Sequence, residues 1–403
     1  MSETAASRTH TDWLVIAVLF TAGLVAAMQF GKVAPVMGDV QSEFGLGLVG
    51  AGFAVSILGL IGLIFGVAAG AVVAAIGLKR ALYIALFGGA AMAALGAIAP
   101  NGAVFLATRL AEGFSHLLVV VAAPALMTAH SNRKDMPFVL AIWGCFFGFG
   151  FGIMSLVAPE IVAAGGWRSL MGAHAAAVAL TGVALVLVLN RSGYREDTFP
   201  LPKFSGLIEA HSKLYTSGAP LLLAVLFAAY TMPFLAVLTF LGRYLVEVQG
   251  WSAGATGSFI AGMTLVNLAA TLAVGAMVRW GIKLKPAMIV SFILLGLSCA
   301  AIFLGGLNDA GIITASIIAM IAFGMMPGYV FVTVPEVAPT QARAAMTYGG
   351  IAQFGNLGTF AGTPLFAFAY GQAGWPGGTL FVVFVCLAGI VATISLIAAM
   401  KNS

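Results

Sequence analysis

Residues 49–76 read VGAGFAVSILGLIGLIFGVAAGAVVAAI, without one charged side chain. The run exceeds the ~20 residues that an α-helix needs to cross the hydrocarbon core of a bilayer. Residues 13–31 and 379–400 have the same character, rich in Ala, Leu, Val and Gly. None of the three alternates polar and apolar residues at period two, as a barrel strand does. A lipid-facing amide cannot stay unpaired, so a membrane chain is either helical or a closed barrel. These runs therefore predict membrane-spanning helices.

The composition agrees. Of 403 residues, 61% are hydrophobic and 8% are charged, and the mean hydropathy is +1.08. A soluble domain carries about 25% charged residues. The expected solvent is thus a lipid bilayer, and a soluble enzyme is excluded. No nucleophile–base pair, phosphate loop or metal-ligand spacing stands out, so neither an enzyme nor a cofactor or metal is expected. Cys145, Cys299 and Cys386 lie in separate apolar runs and read as small core residues. The first 12 residues enter a long span without a small-residue cleavage site, so no cleavable signal peptide is expected.

Twelve spans are predicted, at 13–37, 47–76, 81–99, 103–128, 137–163, 170–190, 217–241, 254–278, 286–306, 311–335, 344–370 and 376–400. The loops between them alternate in charge. One set holds 14 of the 18 Lys and Arg, among them Lys79, Arg80, Arg133 and Lys134. The opposite set holds only Arg168 and Arg243, while Lys32 and Arg109 fall inside spans. The positive-inside rule then puts both termini in the cytoplasm of a bacterial inner membrane. Because the cations gather in loops, the net charge of +5 calls for no nucleic-acid partner.

The longest polar stretch lies between the sixth and seventh spans. It divides the chain into an N-terminal six-helix bundle (1–190), a cytoplasmic linker (191–216) and a C-terminal six-helix bundle (217–403). The bundles echo each other. At an offset of 210, Arg133, Met136, Gly148 and Gly152 match Arg343, Met346, Gly358 and Gly362. Each stretch is followed by a Gly-Trp pair, Gly166-Trp167 and Gly374-Trp375. Internal duplication about an axis along the membrane normal is a recurrent transporter plan.

At this point the residues resemble a known family. Gly70-Ala71-Val72-Val73-Ala74-Ala75-Ile76-Gly77-Leu78-Lys79-Arg80 resembles the loop signature of the major facilitator superfamily. Arg109-Leu110-Ala111-Glu112-Gly113 resembles that family's motif on the fourth helix, and Gly166-Trp167-Arg168 also fits. The resemblance implies an all-α membrane fold with two six-helix bundles around a central cavity lined by helices one, four, seven and ten. It implies a monomeric secondary transporter working by alternating access. Two departures stand out. Ala74 replaces an Asp that helps lock the cytoplasmic side, so that lock must be weaker or made otherwise. The Gly-Pro that ends the drug-antiporter signature is absent from the run Gly144–Gly152, which argues against a multidrug/proton antiporter. The segment around Lys32 and the Gly-rich eleventh span are weakly similar to the cyanate and nitroimidazole branch.

Polar residues inside spans name the candidate site. Val25, Gln29, Lys32 and Val36 share one face of the first span, and Arg109, Glu112, Gly113 and His116 share one face of the fourth. A charge at the helix centre costs about 2.5–3.5 kcal/mol on insertion scales. Lys32 either snorkels to the interface or faces the cavity as a fixed cation. Arg109 either braces the fold against Glu112 or binds solute. Glu112 and His116 are the candidate proton-coupling groups, and His174 reads as a hydrogen-bonded core histidine. Tyr230 and Tyr329 are expected on the cavity wall, because of the helices they occupy. Gly144, Gly148 and Gly152, like Gly358 and Gly362, are expected to allow close helix approach.

Lys32 and Arg109 outnumber Glu112, so the expected solute is a small organic anion, carried in a proton-coupled cycle. Protonation of Glu112 is expected to release Arg109 toward it. The alternative is an exporter of drugs or of a secreted metabolite such as a siderophore, which the aromatic C-terminal half would suit.

Overall fold

The computed structural model describes residues 10–132, 134–194, 200, 212, 214–338 and 341–401. Every regular element among them is helical. The first bundle comprises α1 (Trp13–Gly31), α2 (Met37–Phe44), α3 (Leu48–Ser56), α4 (Gly59–Ile76), α5 (Leu78–Ala97), α6 (Gly102–Ala129), α7 (Met136–Gly144) and α8 (Phe146–Arg191). The second comprises α9 (Ala219–Glu247), α10 (Ala253–Arg279), α11 (Leu284–Leu304), α12 (Asp309–Val337) and α13 (Gln341–Lys401). Most of the predicted linker lies outside the described residues.

Nine helices among the described residues are long and apolar enough to cross a membrane, or ten when α3 and α4 count as one bent span. The predicted twelve differ from this through α8 and α13. These run for 46 and 61 residues, lengths of about 70 and 90 Å at ~1.5 Å per residue. The hydrocarbon core is only ~30 Å thick. Each helix is broken once, α8 at Gly165 and Gly166 and α13 at Ala373 and Gly374. Both breaks fall between spans that the sequence predicts as separate. Gly166 and Gly374 take φ values of 74° and 62°, a region that a Cβ disfavours. The tryptophan that follows each glycine packs inward, Trp167 on Phe44 and Phe105 and Trp375 on Tyr244 and Phe303. The same turn thus recurs at equivalent places in the two bundles.

Smaller breaks have local causes. The first predicted span ran to residue 37, but α1 stops at Gly31 and a 3₁₀ turn follows at Ala34–Val36. Pro35 lacks the amide that would continue the ladder. Between α3 and α4 the axis bends by 58°. There the Ser56 hydroxyl donates to Gly52 O, 3.1 Å away, and also lies 2.8 Å from Phe360 O. A serine bonded to the carbonyl one turn back bends a helix.

The bend brings α3 and α4 against α13. Gly52 abuts the backbone at Thr363 and Pro364, and Gly59 that at Asn356 and Phe360. Gln353 Nε2 donates to Leu63 O at 3.1 Å. A second contact joins α8 to α10, where Gly152 faces Thr264 and Gly257 faces Ser155 and Pro159. One and two turns before Gly152, Gly148 and Gly144 have nothing within 4 Å of a Cβ position. This corrects the expectation that all three serve close packing. The α8–α10 contact closes at Gly152 and opens toward Gly144. In the second bundle Gly358 and Gly362 do pack, against the backbone of α9 at Ala228 and Met232.

The end carrying Lys79 is tied within the first bundle. Thr11 Oγ1 donates to Asp135 at 2.7 Å, the Asn132 amide donates to Thr11 Oγ1 at 3.0 Å, and Lys79 donates to Asn190 at 2.8 Å. At the opposite end Trp167 Nε1 donates to Glu43 at 2.6 Å and Arg168 donates to Ala97 O and Ala99 O.

A Cβ at Gly362 would run into Met232 O, a backbone atom that cannot swing aside. Gly362→Ala is expected to cost about 1–3 kcal/mol, the usual range for overpacking. Gly148→Ala meets open space and should not lower the melting temperature of the purified protein, since Ala in a helix is favoured over Gly by about 0.5–1 kcal/mol.

Candidate functional site

Four helices of the first bundle converge on one carboxylate. Glu112 sits on α6, three residues after Arg109, so both side chains leave the same face. One carboxylate oxygen, Oε2, accepts from Arg109 Nη1, and the other, Oε1, accepts from Lys32 Nζ. All three side chains are buried, each with 1% exposure. Lys32 follows the last residue of α1. It turns into the bundle rather than out to the interface, which corrects the snorkelling alternative. The carboxylate within reach is the physical reason.

Arg109 has further partners. Its Nε donates to Ala54 O on α3 at 3.0 Å, and its Nη2 donates to Gln29 O on α1. Gln29 Nε2 donates to Ser115 Oγ at 3.0 Å, while Gln29 Oε1 is buried without a partner. Lys32 has one more partner, His174 Nδ1 at 3.3 Å, on α8 after its break. The other ring nitrogen, Nε2, lies 2.9 Å from Val25 O. A carbonyl can only accept, so Nε2 carries the hydrogen and Nδ1 offers Lys32 a lone pair.

The remaining candidates are placed as follows. His116, one turn beyond Glu112, is half-buried. Its Nδ1 lies 3.0 Å from Ala26 O and its ring meets Phe30 edge-on at 4.9 Å. Tyr230 is 8% exposed, in an aromatic group of the second bundle with Phe227, Phe234 and Phe323 at 5.4 to 6.2 Å. Tyr329 is wholly buried. Its hydroxyl lies 3.9 Å from Met277 Sδ on α10, and the adjoining Gly328 packs on Val274. The structure therefore moves Tyr329 from the expected cavity wall into the second bundle, because α10 covers that face of α12. The sequence places Gln29 and Lys32 on one face of the first span and Arg109 and Glu112 on one face of the fourth; the structure brings these two faces together. His174 is the hydrogen-bonded core histidine that the sequence predicts, but its partner Lys32, 142 residues away, is not legible there.

A separate cavity of about 430 Å³ lies between the bundles. Pro35, Phe151, Pro159, Leu238, Thr256 and Ile260 are among its walls, with Arg243 and Glu247. None of the charged residues around Glu112 lines it. Among the described residues no group of three or more His, Cys, Asp or Glu is placed to hold a metal ion.

A sequence profile of the Major Facilitator Superfamily matches residues 19–355. The chain belongs to that superfamily. It is a multi-pass membrane transporter of small-molecule solutes and not an enzyme. Among solved structures it is similar to a bacterial homologue of the human lysosomal transporter Spinster, in an inward-facing and occupied conformation. The TM-score is 0.71 at 13% identity, over 96% of this chain and 95% of that one, so the likeness is one of fold. No curated protein sequence matches the chain significantly.

The shared carboxylate has an energetic consequence. Removing one partner of a buried ion pair typically costs about 3–5 kcal/mol, because a charge is left uncompensated. Glu112→Ala strands two cations and should lower the melting temperature more than Lys32→Met does. Adding Lys32→Met to Glu112→Ala should restore part of the loss, since one stranded charge is then gone. Thermal unfolding of the three purified variants measures this.

Proposed function

We propose that this transporter carries a small organic anion together with a proton across a bacterial inner membrane, by alternating access. The observation that carries the reading is the single buried carboxylate held by two cations. One carboxylate cannot neutralise both, so the site keeps an excess positive charge in a setting where charge is expensive. A solute carboxylate or comparable anion supplies the balance. The weak likeness to the cyanate and nitroimidazole branch is in keeping with a small solute.

The coupling follows from the hydrogen bonds. With Glu112 ionised, both cations are held. A proton on Glu112 weakens both pairs, but unequally. Arg109 retains Ala54 O and Gln29 O, whereas Lys32 retains only neutral His174. Lys32 is therefore the cation set free for the anion, and Arg109 keeps the helices together. This replaces the sequence expectation that Arg109 is the one released. Proton and anion then load together, because each favours the same arrangement of Lys32. Gln29 and His116 are assigned to the first-bundle side of the solute site, and Tyr230 with its aromatic neighbours to the other.

In this reading α8 and α13 each cross twice, giving twelve passes. Both termini and the 191–216 segment are cytoplasmic, which the gathering of Lys and Arg on that side supports. The transporter works as a monomer, since one chain supplies every proposed group.

The test uses proteoliposomes and a solute found by a thermal-shift screen of small organic anions. Wild-type protein should accumulate the solute against its gradient when an inward proton gradient is imposed. Glu112→Gln, which mimics the protonated carboxyl, should still exchange solute but lose the response to the gradient. Retained gradient-driven accumulation in that variant would remove Glu112 from the coupling. Lys32→Gln should weaken solute binding roughly tenfold to a hundredfold, the worth of about 1.5–3 kcal/mol for a hydrogen bond to a charged group.

A further inference from the structure

His174 is a buried titratable residue for which the carboxylate cycle gives no task. It lies on α8, the helix that also carries the contact to the second bundle at Gly152. Its exposure is 2%. From α1 it meets Lys32 Nζ and Val25 O. Beyond Lys32 stand Glu112 and Arg109 of α6, while His116 of the same helix is bound to Ala26 O instead. The charges of α5, Lys79 and Arg80, lie in its first turn, and Lys79 reaches Asn190, about four turns along α8 from His174. The one charge of α10 is Arg279 at its end. On α8 itself Arg168 is tied to Glu43. Lys32 is thus the cation that His174 faces directly.

We propose that His174 is a positioning residue that holds Lys32 in its seat after Glu112 is protonated, so that the cation leaves only for a solute anion. The proposal rests on the reading of Glu112 as the proton carrier. Its physical basis is the direction of the two ring hydrogen bonds. Val25 O fixes the hydrogen on Nε2, so Nδ1 presents a lone pair to the ammonium. With Glu112 neutral, an ammonium without this acceptor is a buried cation with no partner. Such a group moves to water. The empty carrier then undergoes the same charge displacement that the solute normally triggers. A carrier that reorients with a proton and no solute leaks protons. His174 removes that path by giving Lys32 a neutral acceptor strong enough to keep it in place, yet weaker than an anion.

Proton leak needs no solute to be known. Purified protein is reconstituted into liposomes containing a trapped pH-sensitive dye, a pH gradient is imposed in solute-free buffer, and proton entry is followed. The wild type should match protein-free vesicles. His174→Leu, which removes the acceptor, should leak several-fold faster. His174→Gln should be as tight as wild type, because its amide nitrogen can donate to Val25 O and its amide oxygen can accept from Lys32. A His174→Leu protein that is folded and tight overturns the proposal, as does a leak of equal size in His174→Gln. If His174→Leu fails to fold, ¹⁵N spectra of histidine-labelled wild-type protein decide the matter. The His174 signal, identified by its loss in His174→Gln, must show the hydrogen on Nε2, and a hydrogen on Nδ1 overturns the proposal. Glu112→Gln added to His174→Leu separates the two readings. Abolition of the leak supports both. A leak that persists in the double variant overturns the Glu112 reading on which the proposal stands, whereas a tight single variant overturns the role of His174 alone.

Discussion

One carboxylate shared by two buried cations is the constraint around which the first bundle is arranged. Taking an ammonium or a guanidinium out of water costs several kcal/mol even after relaxation. The chain meets that cost with bonds that each need a different helix in place. The Arg109 guanidinium spans α6, α3 and α1 through Glu112, Ala54 O and Gln29 O. Lys32 joins α1 to α6 and α8 through Glu112 and His174. The α5 helix comes close enough to complete the packing because Gly89 has no Cβ, which would otherwise strike Ser115 and Gln29. A bundle assembled on these bonds cannot slide one helix past another without stranding a charge. It moves as a unit.

Much of this was legible in the sequence, for reasons that can be named. Long runs without charge identify spans because hydrocarbon tolerates little else. The Arg109–Glu112–His116 stripe follows from helical spacing alone, and the Lys32 stripe follows as far as Gln29 and Lys32. It fails at Val36 because Pro35 ends the helical period before it. His174 could not be read as a partner of Lys32, since the contact depends on how α8 lies against α1 and leaves no local pattern. Tyr329 was misplaced for a related reason. Knowing that a helix borders the cavity does not tell which of its faces does so, and Val274 and Met277 of α10 cover that one. The glycine series Gly144, Gly148, Gly152 has the right spacing throughout, but spacing shows only that a neighbour can approach. Whether one does is decided by tertiary packing: α10 meets α8 at Gly152, Ser155 and Pro159, whereas Gly148 and Gly144, which precede them, meet nothing.

The division of labour between the bundles follows. Between described residues, the salt bridges Lys32–Glu112, Arg109–Glu112, Arg168–Glu43, Arg243–Glu247 and Lys285–Glu336 each stay within one bundle. What crosses between bundles in the described contacts is of another kind. There are neutral hydrogen bonds to backbone carbonyls, at Ser56–Phe360 and Gln353–Leu63, glycine contacts at Gly52, Gly59, Gly152 and Gly257, and an apolar ring contact, Phe53–Phe360. Neutral hydrogen bonds are worth about 0.5–1.5 kcal/mol net, and the glycine and ring contacts strand no charge when they part. Breaking an ion pair at each reorientation would instead impose the several kcal/mol of a stranded charge. In the first bundle the buried charges tie helices together, the pairs of the second bundle are partly exposed, and the described contacts between the bundles are uncharged. In the proposed cycle the charge state around Glu112 biases the seam without being part of it. Lys32 follows the last turn of α1, next to the 3₁₀ segment at Ala34–Val36 that packs on α9 of the second bundle. In the proposed cycle a shift of its side chain therefore acts on the chain segment where the first bundle meets the second.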